Sequence, residues 1–361
     1  MAKHGQAYGT GGESGGENKL VERIARHFGK RAAGFVSLGM GDDAALVRPA
    51  PGNDIILTCD WFLEGTHFLR DRHPAEAVGW KCLARAVSDV AAMGGVPRCF
   101  LLSLALPEPL TGSWLDAFLR GLRRAARRFR CELAGGDTTS RREVLINITV
   151  AGEVRRGRAS RRSGARPGDI LYVSGRLGEA ELGLKLLREG NAERPGQPAL
   201  LRLADAARPG QLARLARRDM HVKKHLYPEP RLALGRWLRE KRLPTAMMDL
   251  SDGLSSDLPR MCDASGVGAL IDAARLPLPR VHEQEQKRGL DALQLALHGG
   301  DDYELLFAVS QRNASRVPAS LAGLRITPIG KIVKARQVHL LDRAGRTSVL
   351  HAAGWDPFSR A

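Results

Sequence analysis

Apolar residues recur every three or four positions in several long stretches of this chain; between them they run in short unbroken blocks. Leu20, Ile24 and Phe28 space a first helix over residues 17–28, with Asn18 able to cap its start and Gly29 to end it. Trp80, Leu83, Ala84, Val87, Val90 and Ala91 give a broad apolar face to a helix from Pro74 to about Met93, with proline at a permitted first-turn position. Trp114, Phe118, Leu122 and Phe129 make residues 113–129 an amphipathic helix. Further helices fall near residues 179–187, 230–241 and 254–262. The unbroken blocks read as buried strands: residues 55–58, 99–106, 144–150, 169–174, 245–248, 268–271 and 303–309, with two more near the C-terminus. Strands and helices mixed in this way predict an α/β protein of the α+β type.

Length divides the pattern in two. A chain of 361 residues exceeds one ordinary core and suits two α/β domains. Residues 155–169 turn abruptly rich in Arg, Ser and Gly around Pro167-Gly168 and read as the link. The expected layout is a disordered glycine-rich tail over residues 1–16, one domain over 17–154 and a second over 155–361. Residues 190–210 read as a loose connection inside the second.

Net charge of +17 raises the question of a polyanionic partner. The arginines are dispersed, and the densest run, Arg123 to Arg130, fits the solvated face of a helix. No aromatic-interleaved basic stripe of the single-strand-binding kind is present, so no nucleic-acid partner is expected. Cys59, Cys82, Cys99, Cys131 and Cys262 are odd in number and widely spaced, which suggests reduced thiols in a cytoplasmic protein rather than a disulfide framework or zinc site. The N-terminal stretch lacks the apolar segment of a signal peptide, and the longest apolar block, residues 99–106, is too short to span a bilayer. A soluble protein with no membrane partner is expected.

Acidic clusters in apolar or glycine-rich surroundings change the picture more. They are Gly41-Asp42-Asp43, Thr58-Cys59-Asp60, Ser88-Asp89, Gly135-Gly136-Asp137-Thr138-Thr139, Asp249-Leu250-Ser251-Asp252-Gly253 and Gly299-Gly300-Asp301-Asp302-Tyr303-Glu304. Singly, each reads most simply as a turn or a helix cap. Asp89 is the exception, since a helix C-terminus disfavours negative charge and its neighbours are apolar. Brought together, the carboxylates would repel one another unless a cation sat among them, and Asp oxygens beside phosphate oxygens are what Mg²⁺ prefers. Two glycines before Asp137 would let backbone approach a ligand closely. P-loop, protein-kinase, nucleophile-elbow and zincin signatures are missing.

In order along the chain, these motifs, with Glu64-Gly65-Thr66-His67-Phe68, Ser88 to Gly95, Asp302-Tyr303-Glu304-Leu305-Leu306-Phe307 and Gly354-Trp355, resemble the thiamine-monophosphate kinase family of the aminoimidazole-ribonucleotide synthetase superfamily. The resemblance runs from about residue 17 to the end. It implies a two-domain fold in which the N-terminal sheet, with ATP- and Mg²⁺-binding residues, forms a homodimer interface. It also implies transfer of the ATP γ-phosphoryl to thiamine monophosphate with several Mg²⁺ ions. By motif matching, Asp43, Thr58, Cys59, Asp60, Asp89, Asp137, Asp249 and Asp252 stand at metal positions. Gly136, Asp137, Arg162 and Ser251 stand at ATP positions; His67, Asp301 and Trp355 face the second substrate. No covalent nucleophile is implied. Two residues depart from the family's pattern: Cys59 replaces its usual Thr, and a thiol is a poor Mg²⁺ ligand, while Asp301 replaces its usual Glu. Selenophosphate synthetases expect a reactive Cys near the N-terminus, and hydrogenase maturation proteins a C-terminal Cys. This chain has neither within residues 1–18 or at Phe358-Ser359-Arg360-Ala361.

Overall fold

A computed structural model describes residues 16–28, 34–39, 44–189 and 220–358. Residues 1–15 of the expected tail, Asp43 and the loose stretch over 190–210 lie outside the described residues, while Gly16 is helical. The first half contains α1 (Gly16–Phe28), β1 (Val36–Leu38), β2 (Leu46–Val47), β3 (Asn53–Leu63), α2 (Ala75–Ala92), β4 (Val96–Leu106), α3 (Ser113–Phe129), β5 (Glu132–Ser140) and β6 (Leu145–Arg155). Strands β3 to β6 form one sheet in the order β3-β6-β4-β5, with β4 and β5 parallel and the other pairs antiparallel.

Helices α2 and α3 cover one face of this sheet and enclose the first core, built on Leu83, Val87, Phe100, Phe118, Leu122 and Ile148. Small residues let the two helices touch. A Cβ on Gly79 would lie 2.0 Å from the Phe118 carbonyl oxygen, and one on Gly121 would lie 1.9 Å from that of Glu76. The opposite face of the sheet carries exposed apolar side chains: Ile55, Leu57, Trp61 and Leu101 are 41–71% exposed.

The second half contains β7 (Ile170–Ser174), α4 (Glu179–Glu189), helical residues 220–226, α5 (Leu232–Glu240), β8 (Pro244–Leu250), α6 (Leu254–Ser265), β9 (Gly268–Asp272), α7 (Ala292–His298), β10 (Glu304–Val309), β11 (Ser320–Leu321), β12 (Leu324–Val333), β13 (Val338–Leu341) and β14 (Thr347–Val349). Its mixed sheet runs β14-β13-β9-β12-β7-β10-β8, with β11 paired to β12. Leu254, Leu258 and Met261 of α6 pack on one face, Leu234 and Leu238 of α5 on the other. Helix α2 joins the halves: Ala92 enters the α5 core, and a Cβ on Gly235 of α5 would lie 2.1 Å from the Ala91 carbonyl oxygen.

Three readings of the sequence change here. Strand β3 is 11 residues long, so Thr58, Cys59 and Asp60 sit in mid-strand and not at its end. Residues 132–140, glycines included, form a strand rather than a turn. Gly136, at φ 157°, serves close strand packing, because a Cβ there would stand 1.9 Å from the Leu102 carbonyl oxygen. The C-terminal region also holds more strands than the two expected.

Candidate functional site

Helix α2 lines up three charged side chains. Lys81, Arg85 and Asp89 lie four residues apart, so they share one face with about 6 Å of rise between neighbours. Asp89 accepts a hydrogen bond from the Thr58 hydroxyl of β3, and Ser88 donates to Asp249 Oδ2 at 2.7 Å near the end of β8. Asp60 lies two residues beyond Thr58 and shares its inward face, by the period-two alternation of a strand. Past β8 the chain turns at Ser251 and Asp252, whose backbone N–H groups each donate to the buried Asp257 carboxylate at 3.0 Å. Asp257 therefore fixes this turn. Neither Ser251 nor Asp252 acts as the helix cap, since the N-cap of α6 is Gly253.

These acids disturb one another. Burial, opposed by Arg85 and reinforced by Asp89 and Asp252, pushes the Asp60 carboxyl up to about 6. Burial and the nearby Asp89 raise Asp249 as well, and burial with Asp252 raises Asp257 to about 6. A group of carboxylates that raise one another carries a repulsion that a cation removes. Among the described residues no three His, Cys, Asp or Glu side chains converge closely enough to hold a metal ion alone. Arg260 also holds Asp252 at 2.6 Å and Asp257 at 2.7 Å. An all-oxygen, open donor set still suits Mg²⁺, which takes one or two carboxylates together with substrate phosphate oxygens and water rather than a closed protein cage.

The other end of the α2 stripe holds Asp301. Lys81, only 1% exposed, places its Nζ 2.7 Å from Asp301 Oδ2, and the Tyr303 hydroxyl donates to Oδ1 at 2.7 Å. Burial opposes the charge on Asp301, but Lys81 and Arg85 outweigh it and hold the carboxyl well below the usual range. Asp301 and Tyr303 both have positive φ, 67° and 51°, a conformation that costs free energy away from glycine and persists only where neighbours enforce it. Behind Lys81, His225 stands 3.0 Å from His73, ring nitrogen to ring nitrogen, and burial keeps both imidazoles neutral.

A cavity of about 100 Å³ opens between the two groups, lined by His67, Arg85, Ser251, Asp252, Asp301 and Trp355 among others. His67 Nδ1 accepts from the Leu63 N–H at 3.1 Å, which leaves Nε2–H as its donor. Burial, aided by Arg85, lowers this imidazole to about 4, so it is neutral at pH 7. Trp355 donates its backbone N–H to the Asp252 carbonyl and sets its ring 6.4 Å from that of His67.

The structure thus brings together Thr58, Asp60, Asp89, Asp249, Ser251, Asp252, His67, Asp301 and Trp355. Among the described residues it does not bring in Cys59, Gly136, Asp137 or Arg162. Cys59 points away from Thr58 and Asp60, to the exposed sheet face, where its thiol meets Asn147 at 3.3 Å. Gly136 and Asp137 lie on β5, at the opposite edge of the sheet from β3, and Asp137 lines a groove on the exposed face with Leu57 and Leu101. The exposed Arg162 is tied by its carbonyl to Ser265, at the far end of α6 from Asp252. The sequence reading overlooked Lys81, Arg85, Asp257 and Tyr303. A signal existed for two of them: Arg85 and Lys81 sit four and eight residues before Asp89 on a largely apolar helix.

Proteins described as AIR synthase related match this chain in both parts, their N-terminal domain over residues 41–154 and their C-terminal domain over 166–342. The chain is 37% identical over 344 residues to a thiamine-monophosphate kinase of Escherichia coli K12, covering 93% of this chain and 97% of that one. Among solved structures it is similar to the thiamine-monophosphate kinase of Stenotrophomonas maltophilia K279a, with 33% identity, 90% and 94% coverage and a TM-score of 0.73. It is also similar to AaThiL complexed with AMPPCP and TMP, with 31% identity, 98% and 100% coverage and a TM-score of 0.69. No helix among the described residues is long and apolar enough to cross a membrane.

Proposed function

Because the chain belongs to the AIR synthase related proteins and, among them, to the thiamine-monophosphate kinases, we propose that it transfers the γ-phosphoryl group of ATP to thiamine monophosphate, giving thiamine diphosphate and ADP. The observation that carries this reading is its end-to-end likeness to a protein solved with both an ATP analogue and TMP. The cleft supports it: a carboxylate group adjoins a cavity with an aromatic ring, a neutral imidazole and an ionised carboxylate.

Two polyanions must meet here. Unit charges about 4 Å apart repel by roughly 4 kcal/mol at an effective dielectric near 20, and multiply charged phosphates repel more. Asp60, Asp89, Asp249 and Asp252, with the Thr58 hydroxyl, are the residues that would hold Mg²⁺. The ion supplies neutralisation and orientation of phosphate oxygens when bound. Ser251 adds a hydroxyl toward the nucleotide. His67 offers Nε2–H to the acceptor phosphate, the Trp355 ring packs on the thiamine rings, and Asp301 complements the thiazolium cation. The acceptor oxygen is already ionised, so no general base is needed and transfer is direct and in line.

The exposed apolar sheet face supports a homodimer, since a monomer leaves Leu57 71% and Trp61 56% open to water. Within one chain Asp137 and Gly136 stand apart from the other acids, on this face. Cys59 shares the face and so serves there rather than at the cation site. Rapid-quench mixing with γ-labelled ATP tests the direct route. Label passes to thiamine diphosphate and none to protein; a labelled enzyme intermediate overturns it.

A further inference from the structure

We infer that Arg85 is the guanidinium that binds the phosphoryl group in transit, a role that rests on the kinase reading above. Arg85 occupies the middle of the α2 stripe, one turn from Lys81 on the Asp301 side and one turn from Asp89 on the carboxylate side. The stripe is about 12 Å long, so its centre falls between the nucleotide end and the acceptor end of the cleft. Arg85 lines the cavity with Ser251, Asp252, His67, Asp301 and Trp355.

Its partners are incomplete. Among the described residues, Arg85 Nε is buried and makes no hydrogen bond. Its nearest carboxylate oxygen, Asp301 Oδ1, is 3.6 Å from Nη1, beyond good hydrogen-bonding distance. The guanidinium carbon stands 5.4 Å from the Phe62 ring centroid, which fixes the plane without using a donor. Burial opposes its charge, but Tyr303, Asp301, Asp60 and Asp252 outweigh it, so it stays protonated at every working pH. A buried fork with unused donors costs free energy until an oxyanion fills it.

In the transfer step an oxygen of the thiamine monophosphate dianion forms the new bond to the γ-phosphorus. The bond from that phosphorus to the β,γ-bridging oxygen breaks, and this oxygen leaves on ADP with the electron pair. No proton moves. Charge on the transferring group is spread over its equatorial oxygens, and a planar fork that meets two of them binds the transition state more tightly than either ground state. Asp301 and the Phe62 ring hold the fork in place; the carboxylate group acts on the nucleotide side.

The alternative role is a passive counter-ion for the acids, and the two roles separate by measurement. Wild type, Arg85→Gln and Arg85→Lys are assayed with ATP, Mg²⁺ and thiamine monophosphate, and binding of ADP is measured with and without aluminium fluoride and thiamine monophosphate. Arg85→Gln lowers kcat by about 10²–10³-fold and loses the tight fluoroaluminate complex, while both KM values and the affinity for ADP alone change little. Arg85→Lys recovers about a tenth of the rate or less, since an ammonium cannot bridge two oxygens. Wild-type kcat in Arg85→Gln, or a loss confined to KM and ADP affinity, overturns the inference. If Arg85→Gln fails to fold, a wild-type kcat in Arg85→Lys overturns it instead. A wild-type protein that makes no thiamine diphosphate defeats the kinase reading and this role with it, whereas an active wild type beside an active Arg85→Gln defeats only this role.

Discussion

Asp89→Asn lowers turnover by about 10²–10³-fold without loosening the fold. The amide keeps an oxygen that can accept from the Thr58 hydroxyl, so the local packing survives. What disappears is the charge that, with burial, pushes Asp60 up to about 6 and raises Asp249. The sign of the stability change follows. The folded state of the wild type binds the Asp60 proton more tightly than the unfolded chain, whose ordinary value is 3.8. Without divalent cation, Asp60 therefore subtracts stability as pH rises from about 4 to about 6, and the deficit persists above that. Asp89→Asn removes part of the cause, so the metal-free variant melts at or above wild type at pH 8 and falls back toward it near pH 4. Steady-state rates and thermal unfolding in chelator check both halves. Turnover close to wild type would refute the role given to this acidic group.

Lys81→Met destabilises the protein by about 3–5 kcal/mol, the cost of leaving one partner of a buried ion pair behind. Lys81 is 1% exposed and its ammonium lies 2.7 Å from Asp301. Asp301 would keep Arg85 at 3.6 Å, the Tyr303 hydroxyl and the neutral His225 imidazole at 3.8 Å, while its own backbone sits at φ 67°. Lys81→Met with Asp301→Asn restores most of that loss, because the stranded charge goes too. Urea unfolding of the two variants measures the pair. A single variant within about 1 kcal/mol of wild type contradicts a structural role for the pair.

Much of the fold was legible because burial leaves a period. Trp114, Phe118, Leu122 and Phe129 fixed α3 at Ser113–Phe129, the bounds the spacing predicts. Strand β3 was read too short because its second half alternates Thr58, Cys59, Asp60 and Trp61. Only one face of it is buried in a single chain, so no unbroken apolar block marks it. Residues 132–140 were missed as a strand since glycine disfavours strands on propensity, whereas here its lack of a Cβ is what lets β5 lie against β4. At the site, the acids of the α2, β3 and β8 motifs do meet, but Asp137 does not join them within one chain. No local pattern tells which face or sheet edge an Asp will occupy. Lys81 and Arg85 escaped notice for a related reason. A charge on an apolar helix reads as surface until the facing elements supply Asp301, Asp60 and Asp252.

The closing test is product identity. Purified protein is incubated with ATP and Mg²⁺ and either thiamine monophosphate or free thiamine, and the thiamine species are separated and weighed by mass spectrometry. Thiamine diphosphate forms only from the monophosphate, in step with ADP, and chelation stops it. Phosphorylation of free thiamine instead, or diphosphate formed undiminished in chelator, would contradict a site built to join two phosphates across divalent cations.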